Sequence, residues 1–224
     1  AIAEVDNATY HGSISELDAA YAAEMVRQEV VAKFGLKAYT EGYTAITTLD
    51  SKMQSAAVNA LQAGILAYDQ RHGYRGVEQS QLAEEDWVAA LKTAKVFGKL
   101  EPAIVIEVAD DHLIVQTKDG LSLPLNWMDG LNELRLYRTV NARTAPILSA
   151  TEIFNIGDLI RVKRYGPKRI SLSQLPTAQA AMVALAPNNG GIRSLVGGFD
   201  YRQSRFNRVT QATRQPGSNF KPFI

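Results

Sequence analysis

The chain has 224 residues, 46% of them hydrophobic and 21% charged, with a formal net charge of +1. These proportions are those of a water-soluble globular protein able to bury a core; they exclude a disordered tail and, because no apolar run approaches the ~18 residues needed to cross a bilayer, a membrane span within the sequence. The absence of Cys removes disulfides, thiol catalysis and Cys-based metal sites, and with only three His left as soft ligands no metal or cofactor is expected.

The first hundred residues read as mostly helical. Ser15 is placed to cap a helix whose apolar positions Leu17, Tyr21, Met25 and Val26 recur at helical spacing and which ends near Gly35. Thr44, Thr47 and Thr48 give Tyr43 to Leu49 the β-branched character of a strand. Asp50 then caps a second helix, with Met53, Ala57, Ala60, Leu61, Ile65 and Tyr68 on one face before Gly73. A third helix is predicted over Leu82 to Phe97, its acidic start (Glu84, Glu85, Asp86) suited to the helix dipole.

From Pro102 the texture changes to short strands. Ile104–Val108, His112–Thr117 and Leu121–Leu125 are divided by Asp110-Asp111 and Asp119-Gly120, while Asp158–Tyr165 and Arg169–Leu175 flank Gly166-Pro167. Five such strands predict a small barrel. Its basic pair of strands, with Arg161, Lys163, Arg164, Tyr165, Lys168 and Arg169, offers one functional reading: a groove for single-stranded nucleic acid or an oligosaccharide, without catalysis. The competing reading is a solvated edge hairpin guarded by charge. The low net charge and the single aromatic residue favour the second, so no nucleic-acid partner is expected.

After the barrel, Ala181–Ala186 and Ile192–Val196 read as a hairpin around Pro187-Asn-Asn-Gly-Gly191, closed by Gly197-Gly198. Beyond it, Arg193 to Lys221 holds six basic residues against the single acid Asp200. No ligand is assigned to Arg202, Arg205, Arg208 or Arg214; Asn207 and Gln211 are candidates for a site wall.

Past a Pro216-Gly217 turn come Ser218 and Lys221, three positions apart. On a helix begun at that turn the two share a face, so the amine can reach the hydroxyl: a nucleophile beside a base. With 12 Ser and 10 Lys in the chain, roughly half a match to this spacing is expected by chance, so the pair needs its context. The chemistry would be acyl transfer through a covalent intermediate. Because an unperturbed Lys titrates near ~10.4, a base role near pH 7 requires a depression of roughly three units, about 4 kcal/mol against the ammonium, from desolvation and nearby cations.

That context closely resembles a known family. The hairpin, Phe206-Asn-Arg-Val-Thr-Gln-Ala212 and Arg214-Gln-Pro-Gly-Ser-Asn-Phe-Lys-Pro-Phe223 resemble the opening of the transpeptidase domain of class A penicillin-binding proteins, the 1A group in particular. Upstream, Glu41–Asp50, Lys52–Ala57 and Arg71–Gly76 resemble the segment that joins the family's glycosyltransferase and transpeptidase domains. Ala186 stands where Asp is common and Tyr201 where Phe is usual; neither touches Ser218 or Lys221.

The resemblance implies an α+β organisation. A mostly helical linker with one strand covers residues 1–97, an OB-like five-stranded β-barrel 98–177, and the first hairpin and helix start of the transpeptidase domain 178–224. It implies a peptidoglycan synthase in which Ser218 attacks a D-Ala-D-Ala stem peptide with Lys221 as base, β-lactams acylate the same serine, and a glycosyltransferase polymerises a lipid-linked precursor. It further implies a periplasmic location on the bacterial inner membrane, with the anchor outside this sequence, and leaves room for an accessory regulator on the barrel that no single residue marks. The Ser-x-Asn and Lys-Thr-Gly motifs of such sites do not occur in a usable place, and the glycosyltransferase motifs are absent. Together with the missing initiator Met and the stop at Ile224, this reads as a segment cut from a longer enzyme and inactive alone.

Overall fold

The computed structural model describes residues 16–223. In chain order its principal elements are α1 (Ala20–Phe34), α2 (Ser51–His72), α3 (Trp87–Thr93), β1 (Leu100–Val108), β2 (His112–Thr117), β3 (Ser122–Asn126), β4 (Tyr137–Thr139), β5 (Ala142–Arg143), β6 (Leu159–Gly166), β7 (Arg169–Ser173), β8 (Met182–Leu185) and β9 (Ile192–Val196). The α+β class expected from the sequence is the one observed. The Ser15 cap lies outside the described residues. Gly35 does end α1, at φ +60, where a side chain would be strained.

Five antiparallel strands form one sheet in the order β3-β2-β1-β6-β7, and β3 approaches β7 to curl it toward closure. The inward set follows from the alternation of β2 and β3, which buries Leu113, Val115, Leu123 and Leu125 with Ala103, Val105, Ile160, Val162 and Ile170. The stretch between β3 and β6 plugs the barrel with Leu131, Ala150 and Phe154. A capping box, in which Glu152 Oε1 accepts from the Ser149 N–H at 3.0 Å, fixes the turn that carries Ala150.

Residues 74–97 also pack on the barrel. Tyr74 is buried in its core, with its N–H on the Arg135 carbonyl at 2.8 Å and its own carbonyl accepting from Tyr137. α3 sets Leu91 on Ile104 and Leu159, covering the outer face of β1. The predicted 16-residue helix over 82–97 is in fact a 3-10 turn (Glu84–Asp86) followed by α3, which ends at Thr93. Lys118 Nζ draws the carbonyls of Lys92 and Ala94 out of the helical ladder at 3.0 and 2.8 Å, and the chain then turns at Gly98 to enter β1.

The linker strand predicted over 43–49 forms no ladder. The segment is solvent-facing, Ile46 being 96% exposed, and only its end meets the sheet: Thr48 Oγ1 donates to the Ile192 carbonyl and the Asp50 N–H to that of Arg193. β-branched composition favours a pleated, half-buried surface, and most of this segment has no neighbour to supply one.

Asp50 caps α2 as predicted, accepting from the Met53 N–H at 2.9 Å. The buried stripe is Gln54, Ala57, Leu61, Gln62, Ile65 and Asp69, rotated from the apolar face read in the sequence: Met53 and Tyr68 are exposed. Ala57, Leu61 and Ile65 pack on Leu100, Val196 and Phe199, so α2 joins the barrel to the β8–β9 hairpin.

Candidate active site

β8 and β9 pair as the predicted hairpin, Met182 opposite Val196. β9 then ends in two glycines pressed against α1. A Cβ on Gly197 would stand 2.5 Å from Asn207 Oδ1 and 2.7 Å from Tyr21 Cδ1; one on Gly198 would meet Tyr21 Oη and lie 2.9 Å from Arg208 Nη1. Tyr21 donates its hydroxyl to the Ser204 carbonyl at 2.7 Å, and its ring meets Tyr201 edge-on with centroids 5.1 Å apart. Burial pushes the Tyr21 phenol up to about 12, which keeps it a neutral donor.

Asp200 ties this corner to the barrel. Its carboxylate accepts from the Gly98 N–H at 2.7 Å, the Arg202 N–H at 2.8 Å and the Arg202 guanidinium at 2.8 Å. Burial opposes its ionised form, but these bonds prevail and hold it below the usual carboxylate range. Asp18, just ahead of α1, moves the other way: burial, then the Asp200 charge, push its carboxyl up against the opposing pull of Arg202.

Asn207 and Gln211 bond to each other, the Asn207 N–H donating to Gln211 Oε1 at 2.6 Å, and Asn207 Oδ1 accepts from Val209 at 3.1 Å. Both side chains are thus used in turning the chain. From there it runs largely exposed to a 3-10 helix, Gly217–Phe223, that carries Ser218 and Lys221. Pro222 has no N–H to donate, which suits a short three-residue turn, and i and i+3 eclipse on such a helix. The two residues therefore lie on one edge of it, and both are exposed.

On the barrel, the basic strand pair divides into two sets. Arg161 is buried and clamps Glu78 at 2.7 and 2.9 Å; Arg164 pairs with Glu101 at 3.0 Å and Asp119 at 3.2 Å. Lys163 and Arg169 instead flank the exposed Tyr165 ring, 5.1 and 5.9 Å from its centroid. The polar seams of α2 were not anticipated. Gln54 bonds Leu195 and Asp18, Gln62 donates to the Phe199 carbonyl at 3.1 Å, and Asp69 holds Arg75 at 2.8 Å. Nothing local in the sequence marks them, since the backbone partners of the two glutamines at Leu195 and Phe199 lie well over a hundred residues away. Among the described residues no three His, Asp or Glu converge as a metal site requires, and no helix is long and apolar enough to cross a membrane.

A curled five-stranded barrel, plugged by the stretch between its third and fourth strands, defines an OB-like domain, and residues 74–178 match the family described as the penicillin-binding protein OB-like domain. The chain is 43% identical over its whole length to penicillin-binding protein 1A of Pseudomonas aeruginosa and 38% identical over 99% of its length to that of Escherichia coli, covering 27% of each. The crystal structure of penicillin-binding protein 1A from Haemophilus influenzae superposes with a TM-score of 0.74 at 33% identity, over 93% of this chain and 30% of that one. The chain is thus homologous over its whole length to class A penicillin-binding proteins of the 1A group, carries their OB-like domain, and spans about a quarter of the length of the curated relatives it matches.

Proposed function

We propose that this chain is part of a peptidoglycan synthase in which Ser218 is the nucleophile and Lys221 the base of a D,D-transpeptidase, the complete protein also polymerising glycan from a lipid-linked precursor at the periplasmic face of the inner membrane. The observation that carries the reading is the pairing of a serine and a lysine along one edge of the 3-10 helix at Gly217–Phe223, at the end of a segment held by α1 and β9. In the proposed step the Ser218 hydroxyl gives its proton to the Lys221 amine, and its oxygen adds to the carbonyl carbon between the two terminal D-Ala residues. The terminal D-Ala then leaves, taking a proton, and an amine of a neighbouring strand displaces the ester. A β-lactam carbonyl would follow the first half and stop at the acyl-serine.

The exposure of both side chains supports the inactivity of the segment by itself, because a lysine base needs desolvation that these residues do not supply. Fluorescent penicillin should label the complete protein, and Ser218→Ala should abolish that labelling; labelling that persists assigns the nucleophile elsewhere.

A further inference from the structure

α2 has two working faces. One docks on the hairpin that leads toward Ser218; the other, with Leu66, Ala67 and Arg71, forms one wall of a groove of about 740 Å³ whose opposite wall is the β6–β7 face of the barrel. This volume lies within the ~300–1,000 Å³ typical of ligand clefts.

The distribution of charge singles out this groove. Around it the barrel cations are neutralised at close range: Arg75 by Asp69, Arg161 by Glu78, Arg164 by Glu101 and Asp119. Arg71, Arg135, Arg143, Lys163 and Arg169 all line the groove, and none has a carboxylate within 4 Å among the described residues. Of the three acids on its walls, Asp69 is held by Arg75 and Asp129 accepts from the backbone and side chain of Asn126. Asp129 and Glu133, the latter on a backbone at φ +59, therefore remain as two uncompensated carboxylates against the five cations. Tyr165 on β6, 59% exposed, has Lys163 Nζ 5.1 Å and Arg169 Cζ 5.9 Å from its ring centroid, and Ser171 and Ser173 of β7 line the same groove.

An exposed ring, a row of hydroxyls and unneutralised cations match three features of one ligand class: the apolar face of a sugar, its hydroxyls, and carboxylates carried beside it. We infer that this groove binds a glycan strand that bears stem-peptide carboxylates, sugar against Tyr165 and carboxylates against Lys163, Arg169 and Arg71. The inference rests on the proposed function for the identity of the strand and extends it by a holding site apart from Ser218. Single-stranded nucleic acid fits less well, since successive bases need successive aromatic platforms and Tyr165 is the only exposed aromatic lining the groove.

The test uses the 224-residue chain and soluble, uncross-linked glycan strands with intact stem peptides, titrated by fluorescence anisotropy at two salt concentrations. Binding should weaken as salt rises, fall about tenfold or more in Lys163→Glu/Arg169→Glu and in Arg71→Glu, and fall likewise in Tyr165→Ala. Lys52→Glu, on the far end of α2, should leave it unchanged, and circular dichroism should show each variant folded. Strands stripped of their stem peptides by an amidase should bind at least tenfold more weakly. Equal binding of stripped strands, equal binding of a 20-nucleotide oligo-dT, or no binding of intact strands overturns the inference. Penicillin labelling of Ser218 in the complete protein is read separately, so loss of strand binding with labelling intact removes the groove assignment alone.

Discussion

The side-chain amide of Gln54 pairs with both backbone groups of Leu195: Oε1 accepts from its N–H at 2.8 Å and Nε2 donates to its carbonyl at 3.1 Å. A helix residue thereby supplies the edge of β9 with what a neighbouring strand would supply. With Thr48 on Ile192 and Asp50 on Arg193, the stretch 48–54 follows β9 by side chain and cap where the predicted strand makes no ladder.

Gln54 is 1% exposed, so its loss strands partners that water cannot reach. Leaving a buried amide and carbonyl unpaired costs about 1–3 kcal/mol each, partly relieved by local shifts. Gln54→Leu should destabilise the chain by about 2–4 kcal/mol in urea unfolding, whereas Met53→Leu, on the exposed neighbouring position, should change it by no more than about 0.5 kcal/mol. Equal effects would mean that the amide pair is incidental.

The same helix shows what a sequence displays and what it conceals. The barrel strands were legible because short apolar and β-branched runs are divided by two-residue turn signals at Asp110-Asp111, Asp119-Gly120 and Gly166-Pro167, and Asp50 because a cap acts on residues beside it. The polar half of the α2 stripe was not: apolarity alone selects Met53 and Tyr68, while Gln54, Gln62 and Asp69 are buried through partners supplied by the fold. The plug between β3 and β6 escaped for a related reason, since Leu131 and Phe154 sit in short irregular turns without periodicity. At the candidate site, the Ser218–Lys221 spacing was legible and the grip of α1 on the preceding loop was not, because it depends on two glycines meeting one distant tyrosine.

That grip can be measured as a coupling. A methyl on Gly198 would collide with the Tyr21 hydroxyl, which its bond to Ser204 keeps from moving aside. Gly198→Ala should cost about 1–3 kcal/mol, as overpacking does. Tyr21→Phe removes the colliding oxygen together with its hydrogen bond, so the double variant should recover part of the loss, with a coupling of about 0.5–2 kcal/mol in a double-mutant cycle. Strict additivity would show that the hydroxyl is not what Gly198 accommodates.

Asp18 and Asp200 set opposite pH dependences at this corner. The Asp200 carboxyl is held down, so its contribution is present above its unfolded pKa and is lost as pH falls through the folded value. The Asp18 carboxyl is pushed up, so its contribution is greatest below its unfolded pKa and declines as pH rises through the folded value. Asp18→Asn should therefore raise stability at pH values above the folded Asp18 pKa, where its charge would stand beside that of Asp200, and the gain should vanish below the carboxylate range. Urea midpoints measured from pH 3 to pH 8 for both proteins would reveal it; a gain independent of pH would assign the effect to something other than charge.

The last expectation separates the two members of the proposed pair. If Lys221 is the base, Lys221→Ala in the complete protein should melt at an unchanged temperature yet acylate with a β-lactam more slowly by roughly 10²- to 10⁴-fold, the range for losing general-base assistance. Raising the pH should not restore the rate, since the proton acceptor itself is gone. In the 224-residue chain both Ser218 and Lys221 stand in solvent, and nothing among the described residues encloses the pair. Intact-mass spectrometry of this chain after β-lactam exposure should show negligible adduct. A stoichiometric adduct on Ser218 would mean that the 3-10 turn and its two side chains suffice, and that the surroundings contribute far less than the chemistry of a serine–lysine pair requires.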